Sequence, residues 1–142
     1  MKKGLLVLLS SLLLSTASIA SENTAKGLNV IITSEDAQTQ MMGMVLSTMT
    51  LKQNKVVNMV LCSSAAELAL KDSTSPLLKP QDKSPKMMLE ALIKGGAKVE
   101  VCPLFLPNAA KAETDLITGV TVAKPMDVAT KILDKDYQNL SY

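Results

Sequence analysis

The sequence contains no histidine and no tryptophan, and all 15 of its basic residues are lysines. Without histidine the protein lacks the commonest general base, the Cys-His and Ser-His-Asp arrangements, and the imidazole ligands of zinc sites. Its two cysteines, Cys62 and Cys102, are too few to form a structural zinc site alone. We therefore predict no metal site and no cofactor, and any chemistry must come from a thiol, carboxylates, lysines or the backbone.

The scarcity of aromatic residues and the lack of arginine also bear on the partners of the protein. Phe105, Tyr137 and Tyr142 are the only aromatic residues of the chain. A protein that binds nucleic acid usually combines a clustered cationic surface with arginine forks or aromatic stacking platforms. We therefore do not expect nucleic acid as a partner.

The first twenty residues have the pattern of a secretory signal peptide. Lys2 and Lys3 precede a leucine-rich run from Leu5 to Leu14, and small residues lead to a cleavage site after Ala20. A membrane-spanning helix would need roughly 18 or more apolar residues. We predict that residues 1–20 are removed and that the mature protein is periplasmic or secreted, with no membrane association after cleavage.

The remaining residues, 21–142, form one predicted domain, a length that suits a single hydrophobic core. Of the 15 basic residues, Lys2 and Lys3 would leave with the signal peptide, which balances the charge against the 13 acidic residues. A neutral domain of this kind gives no electrostatic reason to bind a polyanion.

Apolar runs rich in β-branched residues alternate with segments of helical pattern along the mature chain. The predicted strands are Leu28–Thr33, Lys55–Ser63, Lys98–Cys102, Gly119–Ala123 and Tyr137–Tyr142. The predicted helices are 34–53, Ala65–Leu70, Pro85–Lys94, Ala109–Thr118 and Pro125–Asp136. This alternation predicts an α/β fold with a mostly parallel five-stranded sheet and helices on both faces.

Capping signals precede three of these helices. Each pairs a residue suited to the N-cap with a residue suited to the first turn. They are Thr33 with Asp36, or Ser34 one position later; Ser64 with Glu67; and Ser84 with Pro85.

Methionine is abundant, with nine residues in the chain. Copper binding is one interpretation, because thioethers select Cu(I), but the helical spacing favours core packing. The residues predicted to face the core from the first helix are Met41, Met42, Val45, Leu46 and Met49. The proline-containing segment 72–85 is predicted to be a loop. Its length suggests a lid, an oligomer contact or a disordered stretch.

Both cysteines stand at the carboxyl ends of predicted strands, where ligands bind in open parallel sheets. Cys102 is the principal candidate for a reactive thiol and Cys62 a second candidate. The competing interpretation is structural, because free cysteine is among the most buried residue types and packs as a small apolar side chain.

A disulfide between the two cysteines depends on the order of the strands. If the second and third strands are neighbours, their ends lie about 5 Å apart and a bridge is feasible; if the first strand separates them, the spacing is about 10 Å, which is too far. The flavodoxin order places the first strand between the other two. We therefore predict free thiols.

Pro103 holds Cys102 in extended geometry and has no N–H to donate to a thiolate. Activation of Cys102 would have to come from backbone amides of the following loop, from a helix N-terminus, or from a lysine such as Lys111 or Lys124.

The runs "GAKVEVCPLFLPN" and "DLITGVTVAKPMDVATKIL" and the terminal "NLSY" resemble the DsrE/DsrF-like family. The resemblance implies a three-layer flavodoxin-like fold and homo- or hetero-oligomers, often trimers or hexamers. It also implies a cysteine, matching Cys102, that carries persulfide sulfur between a donor and an acceptor protein.

These observations predict an exported sulfur carrier or sulfurtransferase-like protein whose Cys102 holds a persulfide, with Cys62 as a second thiol. The alternative is a non-catalytic oligomeric binding or scaffold module in which Leu104, Phe105 and Leu106 fill a subunit interface. A thiol-disulfide oxidoreductase is a weaker alternative, because the chain has no Cys-x-x-Cys motif.

Overall fold

The computed structural model of the protein describes residues 24–142. The predicted signal peptide, residues 1–20, lies outside the described residues. Within residues 24–142, no helix combines the length and apolar character needed to cross a membrane.

Five strands pair in parallel to form one sheet. They are β1 (Gly27–Ile32), β2 (Val56–Leu61), β3 (Lys98–Val101), β4 (Val120–Val122) and β5 (Tyr137–Ser141). The helices are α1 (Ala37–Lys52), α2 (Pro85–Lys94), α3 (Phe105–Asn108) and α4 (Pro125–Leu133), with 3-10 helices at Ser63–Ala69 and Glu113–Asp115. The predicted class, a three-layer flavodoxin-like α/β fold, is confirmed, and each predicted strand is present.

The order of the strands differs from the one we expected. The sheet runs β4-β3-β2-β1-β5, so β2 and not β1 lies beside β3, and the expected flavodoxin order is wrong. From β1 to β4 every connection moves one position in the same direction. Right-handed crossovers of this kind keep their helices on one face, and α1 indeed packs against α2. The connection from β4 to β5 runs in the opposite direction, which places α4 on the other face.

The face of the sheet beneath α1 and α2 carries the hydrophobic core. Because side chains alternate along a strand, every second strand residue points to this face. The buried apolar side chains that the sheet contributes to this core are Val30, Ile32, Val57, Met59, Leu61, Val99, Val101 and Val120. Met44 of α1 and Leu89 and Leu92 of α2 pack against them.

The opposite face carries polar side chains that bond to one another and to α4. Asn58 donates to the side chain of Asn29 at 3.0 Å, and Asn29 donates in turn to Asn139 at 3.0 Å and to the carbonyl of Lys131 at 2.6 Å. Glu100, on the same face, accepts from the Lys131 ammonium at 2.8 Å. Lys131 thus joins α4 to β1 and β3, and the Asn139 amide, which donates to the Ile132 carbonyl at 2.8 Å, joins α4 to β5.

The inward face of α1 is not the one that the sequence pattern suggested. Its buried residues are Gln40, Gly43, Met44, Ser47 and Thr50, whereas four of the five predicted inner residues, Met42, Val45, Leu46 and Met49, are exposed. A Cβ atom at position 43 would lie 2.7 Å from the side chain of Ile32. Small residues therefore face the sheet because the helix lies close to it, and the larger apolar residues remain outside.

The predicted N-cap of α2 is confirmed, and the predicted N-cap of α1 is wrong. Ser84 caps α2 as predicted, since its hydroxyl accepts from the Met87 N–H at 3.2 Å. The cap of α1 is Asp36, whose carboxylate accepts from the Thr39 N–H at 2.8 Å, so both predicted starting residues, Thr33 and Ser34, are wrong.

The connection between β3 and β4 also departs from the prediction. The expected helix Ala109–Thr118 is absent from the described structure at that position, where the 3-10 turn Glu113–Asp115 is found instead. The helical turn lies earlier, at Phe105–Asn108, and buries Leu106. The chain therefore folds back at once after Cys102.

The proline-containing segment forms a defined turn. Leu78 and Lys83 make an antiparallel bridge, with the Leu78 N–H donating to the Lys83 carbonyl at 2.9 Å. The ammonium of Lys86 donates to the carbonyls of Leu70 at 2.6 Å and Ser73 at 2.7 Å. These bonds tie the start of the segment to α2.

Candidate functional site

The candidate site lies at the carboxyl edge of the sheet, where β2 and β3 end. Cys62 follows Leu61 directly and its N–H donates to the carbonyl of Ile32 at 2.9 Å. Cys102 follows Val101 and its N–H donates to the carbonyl of Leu61 at 2.9 Å. The hydrogen bonds between the strands thus continue to both cysteines and hold their backbones at the carboxyl edge of the sheet.

The pairing of β2 with β3 places the two cysteines opposite one another. Val60 pairs with Glu100 and Leu61 with Val101, so the next position of the ladder brings Cys62 beside Cys102. Both side chains are half-buried, and both thiols are free. Free thiols were predicted, but from a strand separation that does not exist, because the strands are neighbours.

The two thiols interact. Burial raises the pKa of the Cys62 thiol to about 11, and the adjacent thiol of Cys102 contributes to the rise. Cys62 therefore keeps its proton at neutral pH, and its thiol lies within hydrogen-bonding reach of the Cys102 sulfur.

Cys102, but not Cys62, lines a cavity of about 470 Å³ at the sheet edge. Its wall combines hydroxyl, amide and carboxylate groups with apolar side chains. The other lining residues are Ser63, Ser64, Glu67, Leu104, Phe105, Asn108 and Ala109. A small group attached to the Cys102 sulfur would fit this space.

Neither of the two lysines proposed to activate Cys102 lines this cavity. The Lys111 ammonium instead pairs with the Asp72 carboxylate at 2.9 Å. Lys124 is exposed and precedes the first residue of α4.

Sequence reasoning missed the residues that form the wall of the cavity. Ser64 and Glu67 were interpreted as a capping box, and Asn108 was seen only as the end of a loop. Their position was a usable signal, since Ser63 and Ser64 follow Cys62 at the end of β2 and residues after parallel strands meet at the same edge of the sheet.

A second, larger cleft of about 620 Å³ lies between α1 and α2 and contains neither cysteine. Its walls are mainly apolar and include Met41, Val45, Met49, Leu78 and Met88. The two thiols and this apolar cleft are therefore separate features of the molecule.

No family model and no curated protein matches the sequence. Solved structures with the same architecture do match. The YchN protein of E. coli superimposes with a TM-score of 0.68 at 19% identity, over 84% of this chain and 100% of that one. The same arrangement of strands and helices therefore occurs in a protein of quite different sequence.

Two further solved structures are similar, and both are titled proteins of unknown function. MTH1491 from Methanobacterium thermoautotrophicum gives a TM-score of 0.61 at 13% identity, over 82% of this chain and 98% of that one. BT1422 from Bacteroides thetaiotaomicron gives a TM-score of 0.62 at 20% identity, over 82% of this chain and 95% of that one. The chain has the DsrE/YchN-like fold. At these identities the likeness concerns the fold and carries no activity with it.

Proposed function

We propose that this protein is an exported sulfur carrier that holds sulfur as a persulfide on Cys102 and passes it to a partner protein. The observation that carries the proposal is the position of Cys102 at a strand end, half-buried and on the wall of the 470 Å³ cavity. A carrier thiol must be reachable by the donor and the acceptor, and this cavity opens a route to the sulfur.

The neighbouring thiol supports Cys102 as the nucleophile of the pair. Cys62 keeps its proton and does not line the cavity, so Cys102 is the thiol that a donor can reach, and a thiolate is the form that attacks sulfane sulfur. In this step the Cys102 sulfur bonds to the terminal sulfur of a polysulfide donor, and the rest of the donor leaves as the shortened polysulfide anion.

The cavity wall supports retention of the added sulfur. The hydroxyl groups of Ser63 and Ser64 and the amide of Asn108 are hydrogen-bond donors, and Leu104 and Phe105 add apolar surface to the wall. The sulfur would leave when a thiol of an acceptor protein attacks the persulfide.

The test is polysulfide treatment of the purified mature protein, followed by intact-mass and peptide mass spectrometry. We expect a gain of about 32 Da, one sulfur atom, on the peptide containing Cys102. The variant Cys102→Ser should show no gain, while the matched variant Cys62→Ser should still be loaded. Absence of the adduct from both wild-type protein and Cys62→Ser under all donor concentrations would end the carrier proposal.

A second function is favoured by a different observation, the exposed apolar side of α1. Its large side chains Met42 and Met49 are 51% and 43% exposed, and Leu104 after Cys102 is 70% exposed. Apolar surface of this kind is typical of contact sites. On this alternative the protein is an oligomeric binding or scaffold module, a trimer or hexamer, and its thiols are structural. Leu106 is buried within the subunit, so of the predicted interface residues it is the one that cannot contribute.

A further inference from the structure

The two cysteines are placed as a reactive pair, since they occupy facing positions on hydrogen-bonded strands. Val60 pairs with Glu100, and Cys62 and Cys102 each lie two residues after these paired positions, directly beyond the ends of β2 and β3. Side chains two residues apart point to the same face, so the thiols of Cys62 and Cys102 leave the sheet on the same side.

The spacing of neighbouring strands suits a covalent bond between them. Adjacent strands lie about 4.7 to 4.9 Å apart, and disulfides join Cα atoms that are usually about 4.4 to 6.8 Å apart. The ladder bond from the Cys102 N–H to the Leu61 carbonyl, at 2.9 Å, holds this spacing up to the position of the thiols. A bond between the two sulfurs therefore needs only side-chain rotation and no change of strand register.

The two thiols differ in access. Cys102 lines the cavity and can meet a donor or acceptor from outside, whereas Cys62 is not part of that wall. A thiol that lies next to a carrier cysteine, but away from the entrance, is suited to act on the carrier after loading.

We propose that Cys62 is a resolving thiol, which attacks the persulfide on Cys102, releases sulfide and leaves a Cys62–Cys102 disulfide. This inference rests on the proposed persulfide function of Cys102. The proton of Cys62, which is held at neutral pH, passes to the terminal sulfur as the sulfur of Cys62 bonds to the Cys102 sulfur and the bond from that sulfur to the terminal sulfur breaks. The terminal sulfur leaves with its own hydrogen and the proton of Cys62, as hydrogen sulfide.

The step balances without an external oxidant. The outer sulfur of the persulfide is reduced to sulfide and the Cys62 sulfur is oxidised, while the Cys102 sulfur keeps the oxidation level that it gained on loading. An added thiol reductant, such as a dithiol, then returns both cysteines to the free state. The protein would thus release sulfide when no acceptor takes the sulfur from Cys102.

The experiment loads wild-type protein and the Cys62→Ser variant with polysulfide, removes the excess, and follows mass and free sulfide over time. In wild-type protein we expect the added mass of about 32 Da to disappear, with release of one sulfide per chain and a final mass about 2 Da below the reduced protein. In Cys62→Ser the adduct should persist at least about tenfold longer, because an intramolecular attack has been removed.

The outcomes separate this inference from the carrier proposal. If neither protein gains sulfur, the carrier proposal fails and the resolving role fails with it. If both gain sulfur and lose it at the same rate, the carrier proposal stands and the resolving role is overturned. Cys62→Ala serves as a second variant in case the serine is poorly tolerated, and circular dichroism confirms that each variant is folded.

A second arm tests the pair without sulfur loading. Diamide treatment of reduced wild-type protein should give an intramolecular disulfide, detected as a linked pair of peptides containing Cys62 and Cys102 and reversed by a dithiol. Cys102→Ser is the control, because it cannot form a disulfide with Cys62. Failure of wild-type protein to form this bond, with both thiols still free after oxidation, would contradict the inference.

Discussion

At the scale of single residues, Glu100 is the least exposed charged residue among residues 24–142. Its side chain is 6% exposed and accepts from Lys131 at 2.8 Å, with Lys98 at 3.3 Å. Burial is the largest influence on the Glu100 carboxyl and favours its neutral form, but the two lysines together outweigh it. The pKa of Glu100 is therefore below its ordinary value of 4.5.

We predict that Glu100→Gln lowers the free energy of unfolding at pH 7 by about 1 to 3 kcal/mol, because it removes a charged, largely buried hydrogen-bond acceptor from Lys131. Since the folded pKa is lowered, the stabilisation from Glu100 is present above the unfolded pKa and is lost as pH falls through the folded pKa. Urea unfolding at pH 7 and at several acidic values should show the difference from wild type shrinking below about pH 4.5.

The matched control is the exposed pair of Lys79 and Asp82, which are 2.6 Å apart with side chains 83% and 54% exposed. Asp82→Asn should change stability by close to zero, because an exposed ion pair is screened by solvent. An equal effect of the two substitutions would contradict the role that we assign to burial at Glu100.

At the scale of secondary structure elements, α2 shows what a correctly predicted cap contributes. The Ser84 side chain is buried and accepts from the Met87 N–H, whereas the cap predicted at Ser64 is wrong, because Ser64 lies inside a 3-10 helix that begins at Ser63 and has no side-chain cap. We predict that Ser84→Ala lowers the free energy of unfolding by about 1 kcal/mol and that Ser64→Ala has almost no effect. Thermal and urea unfolding of the two variants measure this; similar losses at both positions would argue against the capping role.

The same comparison shows which elements could be predicted from the sequence. The strands were found because runs such as Leu28–Thr33 are short, largely apolar and rich in β-branched residues, a property of buried parallel strands that is local to the run. The rotation of α1 about its axis was missed, because it depends on Gly43 and Ser47 allowing close approach to the sheet. Packing distance is a tertiary property, and hydrophobic periodicity contains no direct measure of it.

At the scale of the whole molecule, the arrangement of the strands determines the candidate site. The sequence places Cys62 and Cys102 at strand ends, and this was predictable from the runs that precede them. Their juxtaposition was not, since it depends on whether β2 lies next to β3, and neither strand encodes its neighbour in a local pattern. The cavity beside Cys102 depends in turn on Phe105–Asn108 folding back toward residues after β2, which are distant in the sequence.

The rotation of α1 also has a consequence for assembly. Apolar side chains that we expected in the core instead form an outer face, with Met42, Val45, Leu46 and Met49 on α1 and Met87 on α2. A monomer would leave this face in water at a cost that grows with its area. Burial between subunits removes that cost, which agrees with the oligomer that we propose.

We predict that the mature protein is an oligomer and that the double substitution Met42→Lys with Met49→Lys shifts it toward monomer, because two charges would have to be desolvated at the contact. Sedimentation velocity over a range of micromolar concentrations measures the shift. Met126→Lys, on α4 at the opposite face and 77% exposed, is the matched control and should assemble as wild type does. A wild-type protein that stays monomeric, or a double variant that assembles unchanged, would show that this face of α1 is not the contact between subunits.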